Sequence, residues 1–252
     1  MIRPFPKLRL SVQPKIRRLP KRDAVTIGLG FVTTEGVVLC SDRQHTSAAG
    51  FKFEKCKIMG IEHVNGTSIM LSYAGEPEAA EVIFTKIREQ LGDGLPHVEG
   101  DNRDPIERIW TYLDYVYASP FTKGLETLVS VRVPGDVSPR LYRTRERKVV
   151  TSHGRSECIG CGDSSVIRFL SERLANFIMS RDEAEIIGAY LVSVANRYAD
   201  GCGGGPDIYF QPKQWPKEWV EFRPRKRITD KKQQFDSIEN KIGEELRRLL
   251  LE

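Results

Sequence analysis

The sequence lacks any long apolar segment. No uninterrupted hydrophobic run approaches the ~20 residues that a helix needs to span a bilayer. The basic N-terminal residues, from Met1 to Lys7, are not followed by an apolar stretch, so they do not have the pattern of a secretory signal peptide. We therefore expect a protein that has no membrane partner.

Cysteine is scarce and irregularly spaced. The chain has five cysteines, an odd number without the spacing of a disulfide scaffold, which predicts a reducing compartment and hence the cytoplasm. Cys158 and Cys161 form a C-x-x-C motif, but a structural zinc site needs about four ligands, and no second C-x-x-C or H-x-x-x-H is present. We predict no metal site and interpret the motif as a buried cysteine pair at a strand end.

Motifs for binding nucleotides are also missing. The sequence contains neither G-x-x-x-x-G-K-[ST] nor a G-x-G-x-x-G that follows a strand, and we predict no cofactor. No Ser or Cys motif of a nucleophile triad lies near any histidine, so each histidine is predicted to be exposed or to be satisfied in the core. The four histidines are His45, His63, His97 and His153.

The positive charge is concentrated at the two ends of the chain. Residues 1–22 hold eight Lys or Arg and no acid, and residues 223–232 hold six basic residues and one acid. Basic ends can contact nucleic acid or an acidic partner, but no aromatic residues alternate with the basic ones as in a stacking platform. We interpret both ends as solvated segments and expect no nucleic-acid partner.

Three segments differ in composition. Residues 1–25 form a basic arm or propeptide, in which four prolines block regular structure. Residues 26–210 carry alternating strand and helix patterns and are predicted to form one domain. Residues 211–252 are predicted to be a basic linker and a C-terminal amphipathic helix, whose apolar stripe packs on the body or on a neighbouring subunit.

The order of the predicted elements indicates the fold class. Two apolar strands, Val25–Phe31 and Val37–Ser41, are separated by a turn, and Asn65-Gly66 marks another hairpin. Two amphipathic helices follow, over residues 76–91 and around Ile106–Val116. The second half repeats strands and then two helices, and in the first of these helices Val166, Phe169, Leu170, Leu174 and Phe177 share one face. This order predicts an α+β fold, a four-layer αββα sandwich of two stacked sheets with helices on both outer faces.

Several motifs now make a family resemblance visible. The segment VTIGLGFVTTEGVVLCSD resembles the start of a proteasome β-subunit, which belongs to the N-terminal-nucleophile hydrolases, and the likeness runs from about Thr26 to about Phe210. The chain resembles a divergent member of prokaryotic type. The other motifs are Asp42-Arg43-Gln44-His45-Thr46, Lys57-Ile58, Ala74-Gly75, Ile159-Gly160-Cys161-Gly162 and Gly203-Gly204-Gly205-Pro206-Asp207.

The resemblance implies a set of site residues. Thr26 matches the family's catalytic N-terminal threonine, Asp42 its conserved aspartate, and Lys57, after a one-residue deletion, its catalytic lysine. Taken singly, the three also fit a strand residue, a turn residue and a solvated charge. The supporting residues implied are Gly75 as an oxyanion donor, Cys161 and Cys202 where the family has serines, and Asp200, one residue closer to Cys202 than usual.

The chemistry explains why these residue types belong together. A threonine hydroxyl is a poor nucleophile and needs a base beside it. A free α-amine on Thr26 could be that base, since its unperturbed pKa is about 7.7–8.0 and a nearby ammonium lowers it further. Lys57 would supply this ammonium, and Asp42 would orient it.

The resemblance implies a threonine-type peptidase in a self-compartmentalised homo-oligomeric ring. Its substrate would be a peptide or an unfolded protein, and an unfoldase could be a partner. Thr26 is internal and follows the β-branched Val25 rather than the family's usual glycine, so the arm must be removed to free the amine. Two alternatives stay open: a catalytically inactive structural subunit, and a small-amide hydrolase of the same superfamily.

Overall fold

A computed structural model describes most of the central part of the chain. The predicted arm, residues 1–25, lies outside the described residues. The described residues are 26–46, 50–62, 66–92, 105–118, 124–133, 139–145, 148–152, 154–161, 165–175, 178–199, 201–213, 221–222, 233–234, 236–237, 240 and 244.

The elements follow the predicted order of strands and paired helices. The strands are β1 Ile27–Val32, β2 Gly36–Ser41, β3 Gln44–Thr46, β4 Lys52–Glu54, β5 Ile58–Glu62, β6 Ser68–Ala74, β7 Glu126–Arg132, β8 Arg140–Arg145, β9 Lys148–Thr151, β10 Ser156–Gly160, β11 Asp207–Pro212 and β12 Glu221–Phe222. The helices are α1 Pro77–Gly92, α2 Pro105–Tyr117, α3 Ser165–Leu174 and α4 Arg181–Tyr198.

The first sheet has five strands in the order β10-β1-β2-β11-β12, all antiparallel. The predicted hairpin of β1 and β2 is confirmed. All six residues of β2 and five of six in β1 are buried, as expected for apolar strands that are covered on both faces. The turn between them is fixed by Thr33, whose hydroxyl donates to the Gly36 carbonyl at 3.0 Å and accepts from the Gly36 amide at 3.0 Å.

The second sheet also has five antiparallel strands, in the order β5-β6-β7-β8-β9. The hairpin predicted at Asn65-Gly66 is present, because β5 and β6 pair from Ile58↔Ser72 to Glu62↔Ser68. Gly66 has a positive φ of 90°, a backbone conformation that glycine adopts at little steric cost.

Three groups of buried side chains hold these elements together. The first group contains residues of strands β1, β2, β10 and β11 and of helices α3 and α4. The second contains residues of strands β6, β7, β8 and β9 and of helices α1 and α2. The third contains residues of both sheets, including Leu39 of β2, Met70 of β6 and Leu128 of β7. The chain is therefore a mixed α/β protein with antiparallel sheets.

A capping box marks the start of helix α4. Ser180 accepts a hydrogen bond from the Glu183 amide, and the Glu183 carboxylate accepts one from the Ser180 amide, which forms a capping box. Among the described helices, none is both long and apolar enough to cross a membrane.

The structure corrects two details of the sequence interpretation. Val166 and Phe169, predicted on the apolar face of α3, are 62% and 60% exposed, while Ile167 is buried and Leu170 and Leu174 pack against the core. The helix carries apolar residues on two stripes, and the one at 167, 170 and 174 faces the sheet. Phe177 lies outside the described residues. The polar segment 43–56 contains a two-stranded sheet, β3 paired with β4, that the sequence did not predict.

Candidate active site

Thr26 lies immediately before β1 and is 6% exposed. Its carbonyl oxygen accepts a hydrogen bond from the Cys161 amide at 2.8 Å, directly after β10, which pairs with β1 from Ile27↔Gly160 onward. The register of this strand pair therefore fixes the backbone of Thr26.

Lys57 contacts both of the other residues that the resemblance selected, Thr26 and Asp42. Its Nζ donates to Thr26 Oγ1 at 2.8 Å and to Asp42 Oδ1 at 2.8 Å. The Lys57 and Asp42 side chains are both fully buried. The alternative of a solvated Lys57 is therefore wrong: this ammonium sits inside the protein between a hydroxyl and a carboxylate.

Asp42 directly follows β2 and organises the loops around it. Oδ1 accepts from the Ile27 amide at 3.1 Å as well as from Lys57. Oδ2 accepts from the Gln44 amide at 3.3 Å and the Gly203 amide at 3.2 Å. One carboxylate thus connects the start of β1, the start of β3 and the loop before β11.

Burial and charge act in opposite directions on this pair. Burial raises the pKa of Asp42, and the Lys57 ammonium opposes that rise. Burial lowers the pKa of Lys57, and the Asp42 carboxylate opposes that fall. Because Asp42 accepts four hydrogen bonds, one of them from the ammonium, we take the pair as ionised at neutral pH. Such a pair presents a fixed positive charge to the Thr26 hydroxyl.

Gly160 allows the close contact between β10 and Thr26. Its φ is +65°, and a β-carbon at this position would overlap the Thr26 carbonyl oxygen and lie 2.9 Å from the Ala74 β-carbon. The Gly160 amide donates to Glu126 Oε2 at 2.9 Å. Thr26, Ala74 and Gly160 therefore meet at one point, where only a glycine fits in the third position.

Gly75 follows Ala74 and so lies at the same end of the two sheets. It has a φ of +120°, and a β-carbon there would approach the Gly124 carbonyl oxygen within 2.6 Å. Both features restrict the position to glycine. The role of its amide as an oxyanion donor stays a prediction.

Cys161 and Cys202 are joined by a disulfide bond. The sequence interpretation treated them as two thiols in the place of the family's serines, but bonded sulfurs have no proton to donate. The C-x-x-C motif does not act as a unit either, because Cys158 is buried in the core while Cys161 bonds elsewhere. Asp200 lies outside the described residues. Within the described residues, no group of three or more His, Cys, Asp or Glu is arranged to hold a metal ion.

His45, which the sequence analysis predicted only to be exposed or satisfied in the core, is a buried neighbour of the site. His45 in β3 is 6% exposed and stacks on Phe53 with ring centroids 5.3 Å apart, and Tyr73 lies 6.1 Å away. Burial and the nearby Lys57 charge lower the His45 pKa to about 4. The only signal in the sequence was its position three residues after Asp42.

Several solved structures have a fold similar to that of this chain. The structure is similar to Anbu, described as an ancestral beta-subunit, from Yersinia bercovieri, with a TM-score of 0.70 and 11% identity over 86% of this chain and 96% of that one. It is also similar to a Gly-1 mutant of Anbu from Hyphomicrobium sp. strain MC1, with a TM-score of 0.68 and 14% identity over 87% and 96%.

A third similar structure is a helical assembly of the Anbu complex from Pseudomonas aeruginosa, with a TM-score of 0.67 and 11% identity over 87% and 96% of the two chains. No protein-family model and no curated protein matches the sequence. The likeness therefore establishes the fold, which agrees with the resemblance to proteasome β-subunits.

Proposed function

We propose that this chain is a proteasome-like threonine peptidase with Thr26 as its nucleophile. The observation that carries the proposal is the position of Lys57 Nζ, 2.8 Å from both Thr26 Oγ1 and Asp42 Oδ1 in a buried setting. A buried lysine between a hydroxyl and a carboxylate has a clear chemical use, because its charge favours the negative oxygen of an activated threonine.

Each of the three residues has a separate role. Lys57 donates to Oγ1, which holds the oxygen in place and stabilises the alkoxide that attacks the carbonyl carbon. Asp42 keeps Lys57 charged and oriented. Cleavage between Val25 and Thr26 would free the α-amine that accepts the hydroxyl proton and later delivers it to the leaving amine. The Gly75 amide would stabilise the oxyanion that forms during attack.

The proposal includes the architecture and the assembly. The three groups of buried side chains support four layers, α3 and α4, two sheets, and α1 and α2, over residues 26–210. The helical assembly of the Anbu complex supports a homo-oligomer, and we propose that this homo-oligomer encloses the site of hydrolysis. A peptide or an unfolded protein would be the substrate of such an enclosed site.

The test compares wild type with Thr26→Ala and Thr26→Ser. Peptide hydrolysis should disappear in Thr26→Ala and persist at a reduced rate in Thr26→Ser, since serine retains a hydroxyl. Thr34→Ala changes an exposed threonine of the nearby turn and should leave hydrolysis unchanged. Intact mass should show residues 1–25 removed from the active protein and retained in Thr26→Ala, if the arm is removed autocatalytically.

Two results would contradict the proposal. Hydrolysis that persists in Thr26→Ala would rule out this nucleophile. Full-length mass in the assembled wild-type protein, together with no hydrolysis of a broad peptide panel, would instead support a structural subunit with the same fold.

A further inference from the structure

The Cys161–Cys202 disulfide connects the two loops that hold Thr26 and Asp42. On one side, the Cys161 amide donates to the Thr26 carbonyl at 2.8 Å. On the other side, Gly203, next to Cys202, donates its amide to Asp42 Oδ2 at 3.2 Å. The covalent bond therefore joins the support of the nucleophile to the support of the carboxylate.

The loop that contains Cys202, residues 201–206, is attached to the start of β3 by several further contacts. The Gly203 carbonyl accepts from the amides of Arg43 at 3.1 Å and Gln44 at 3.0 Å. The Gln44 side-chain amide donates to the Gly201 carbonyl at 3.0 Å. Any movement of the loop around Cys202 would thus be transmitted to the residues that immediately follow Asp42.

We propose that Cys161 and Cys202 form an exchangeable disulfide that clamps the Thr26 site, and that low-molecular-weight thiols open it. The bond closes a loop with a sequence separation of 41, so its reduction releases a large constraint. This inference deepens the proposed function, and only its kinetic readout depends on that function.

The exposure of the two sulfur-bearing residues favours exchange. Cys161 is partly exposed, whereas Cys202 is 7% exposed. A glutathione thiolate can attack the Cys161 sulfur, which breaks the disulfide and releases Cys202 as a thiolate. A second glutathione thiolate then attacks the glutathione sulfur of the mixed disulfide, which releases the Cys161 thiolate and forms glutathione disulfide. Two electrons pass from two glutathione molecules to the protein, and the thiolates take up two protons.

The other cysteines do not compete for this exchange. Cys40 and Cys158 are buried in the core beneath α3 and α4, and burial raises the pKa of the Cys158 thiol to about 11. Cys56 is partly buried and donates to the Ile58 carbonyl. Thiolates are the reactive species, so these three residues are poorly suited to replace either partner.

The experiment equilibrates the full chain in glutathione buffers of increasing reducing strength. Alkylation and mass spectrometry should show two thiols appearing together at residues 161 and 202. Amide hydrogen exchange should then become at least about tenfold faster at Cys161 and Gly203 on reduction, while the strand 68–74 stays unchanged. These readouts need no substrate, so they remain valid if the proposed hydrolysis fails.

Variants separate the clamp from a general effect of the thiol. In the double variant Cys161→Ser/Cys202→Ser, amide hydrogen exchange at residues 161 and 203 should be fast in every glutathione buffer and should not change with its reducing strength. Cys56→Ser should respond like wild type. In the active protein, reduction should lower kcat about tenfold, as expected for a misplaced nucleophile. A bond that never forms in oxidised protein, that resists excess glutathione, or whose reduction leaves the two amides unchanged would overturn the proposal.

Discussion

The Lys57 ammonium and the Asp42 carboxylate form an ion pair at 2.8 Å, and both side chains are fully buried. Taking two charges out of water costs several kcal/mol each, and only their mutual attraction and additional hydrogen bonds offset that cost. Here the carboxylate receives three backbone amides, from Ile27, Gln44 and Gly203. The pair is therefore built into the fold, and each member depends on the other.

Lys57→Met should destabilise the protein strongly, because it leaves the Asp42 carboxylate buried without its cation. We expect a loss of about 3–5 kcal/mol in the free energy of unfolding at pH 8, measured by urea denaturation. The loss should be smaller at pH 5, since protonation of Asp42 removes the uncompensated charge. Peptide hydrolysis should be abolished at both pH values.

Lys55→Met provides the matched control for this substitution. Lys55 forms an ion pair with Glu81, and these side chains are 48% and 55% exposed. Exposed pairs contribute about 0–1 kcal/mol, so this variant should unfold close to wild type. Equal effects of the two lysine substitutions would contradict the buried pair.

Gly160→Ala should damage both stability and the site. The substitution forces a β-carbon into a left-handed conformation and against the Thr26 carbonyl oxygen. We expect a loss of about 3 kcal/mol or more in urea denaturation and at least about a tenfold fall in kcat, because the Cys161 amide must move away from Thr26.

Gly124→Ala separates backbone strain from overlap. Gly124 has a similar φ of +81°, but a β-carbon there meets nothing within 4 Å. Gly124→Ala should lower the free energy of unfolding by only about 1 kcal/mol. If Gly160→Ala unfolds no more readily than Gly124→Ala, the contact with Thr26 is not as close as described.

The sequence predicted the hairpin that places Thr26 and Asp42 near each other, whereas the choice of these two residues came from the family resemblance. Thr26 and Asp42 flank one hairpin, whose apolar strands and turn fix their separation. Lys57, too, was selected through the family resemblance, because a lysine before a short strand is ordinarily solvated. Its burial depends on the contact with Asp42, which follows a strand of the other sheet, and no local pattern encodes that contact.

The features that escaped prediction depend on contacts between distant segments. The polar strands β3 and β4 pair beside the loop at Gly203, about 150 residues later, and their composition carries no strand signal. The partner of Cys161 could not be deduced, since sequence alone does not give disulfide connectivity. Asp200 lies outside the described residues, and its role stays a prediction.

Gly188→Ala should destabilise α4, although alanine usually favours a helix interior by about 1 kcal/mol over glycine. A β-carbon on residue 188 would overlap the Cys40 sulfur and lie 3.5 Å from the Phe31 ring. We expect a net loss of about 1–3 kcal/mol from overpacking, measured by thermal or urea unfolding.

The same substitution in a Cys40→Ala background tests this cause. Alanine at position 40 lacks the sulfur, so adding Gly188→Ala to it should cost less than in wild type. An equal cost in both backgrounds would show that the helix, rather than the contact with Cys40, determines the effect.

His45 should make the protein sensitive to mild acid. Its pKa is lowered from 6.5 to about 4 in the folded state, mainly by burial and then by the Lys57 and Lys55 charges, against the opposing effect of Glu78. Between these two pKa values the unfolded chain binds more protons than the folded one. Stability is therefore lost as pH falls from about 6.5 towards 4, by up to about 3 kcal/mol from this residue.

His45→Gln and His45→Phe both remove the titrating ring, and they should differ in their stability at neutral pH. His45 Nε2 is buried without a hydrogen-bond partner in the described part of the chain, and the ring stacks on Phe53, so phenylalanine should fit better than glutamine. In urea denaturation from pH 7 to pH 4.5, both variants should lose less stability than wild type. The loss of the histidine proton site is the change that the two substitutions share. If both variants lost as much stability as wild type between pH 7 and pH 4.5, the acid sensitivity would therefore belong to other groups.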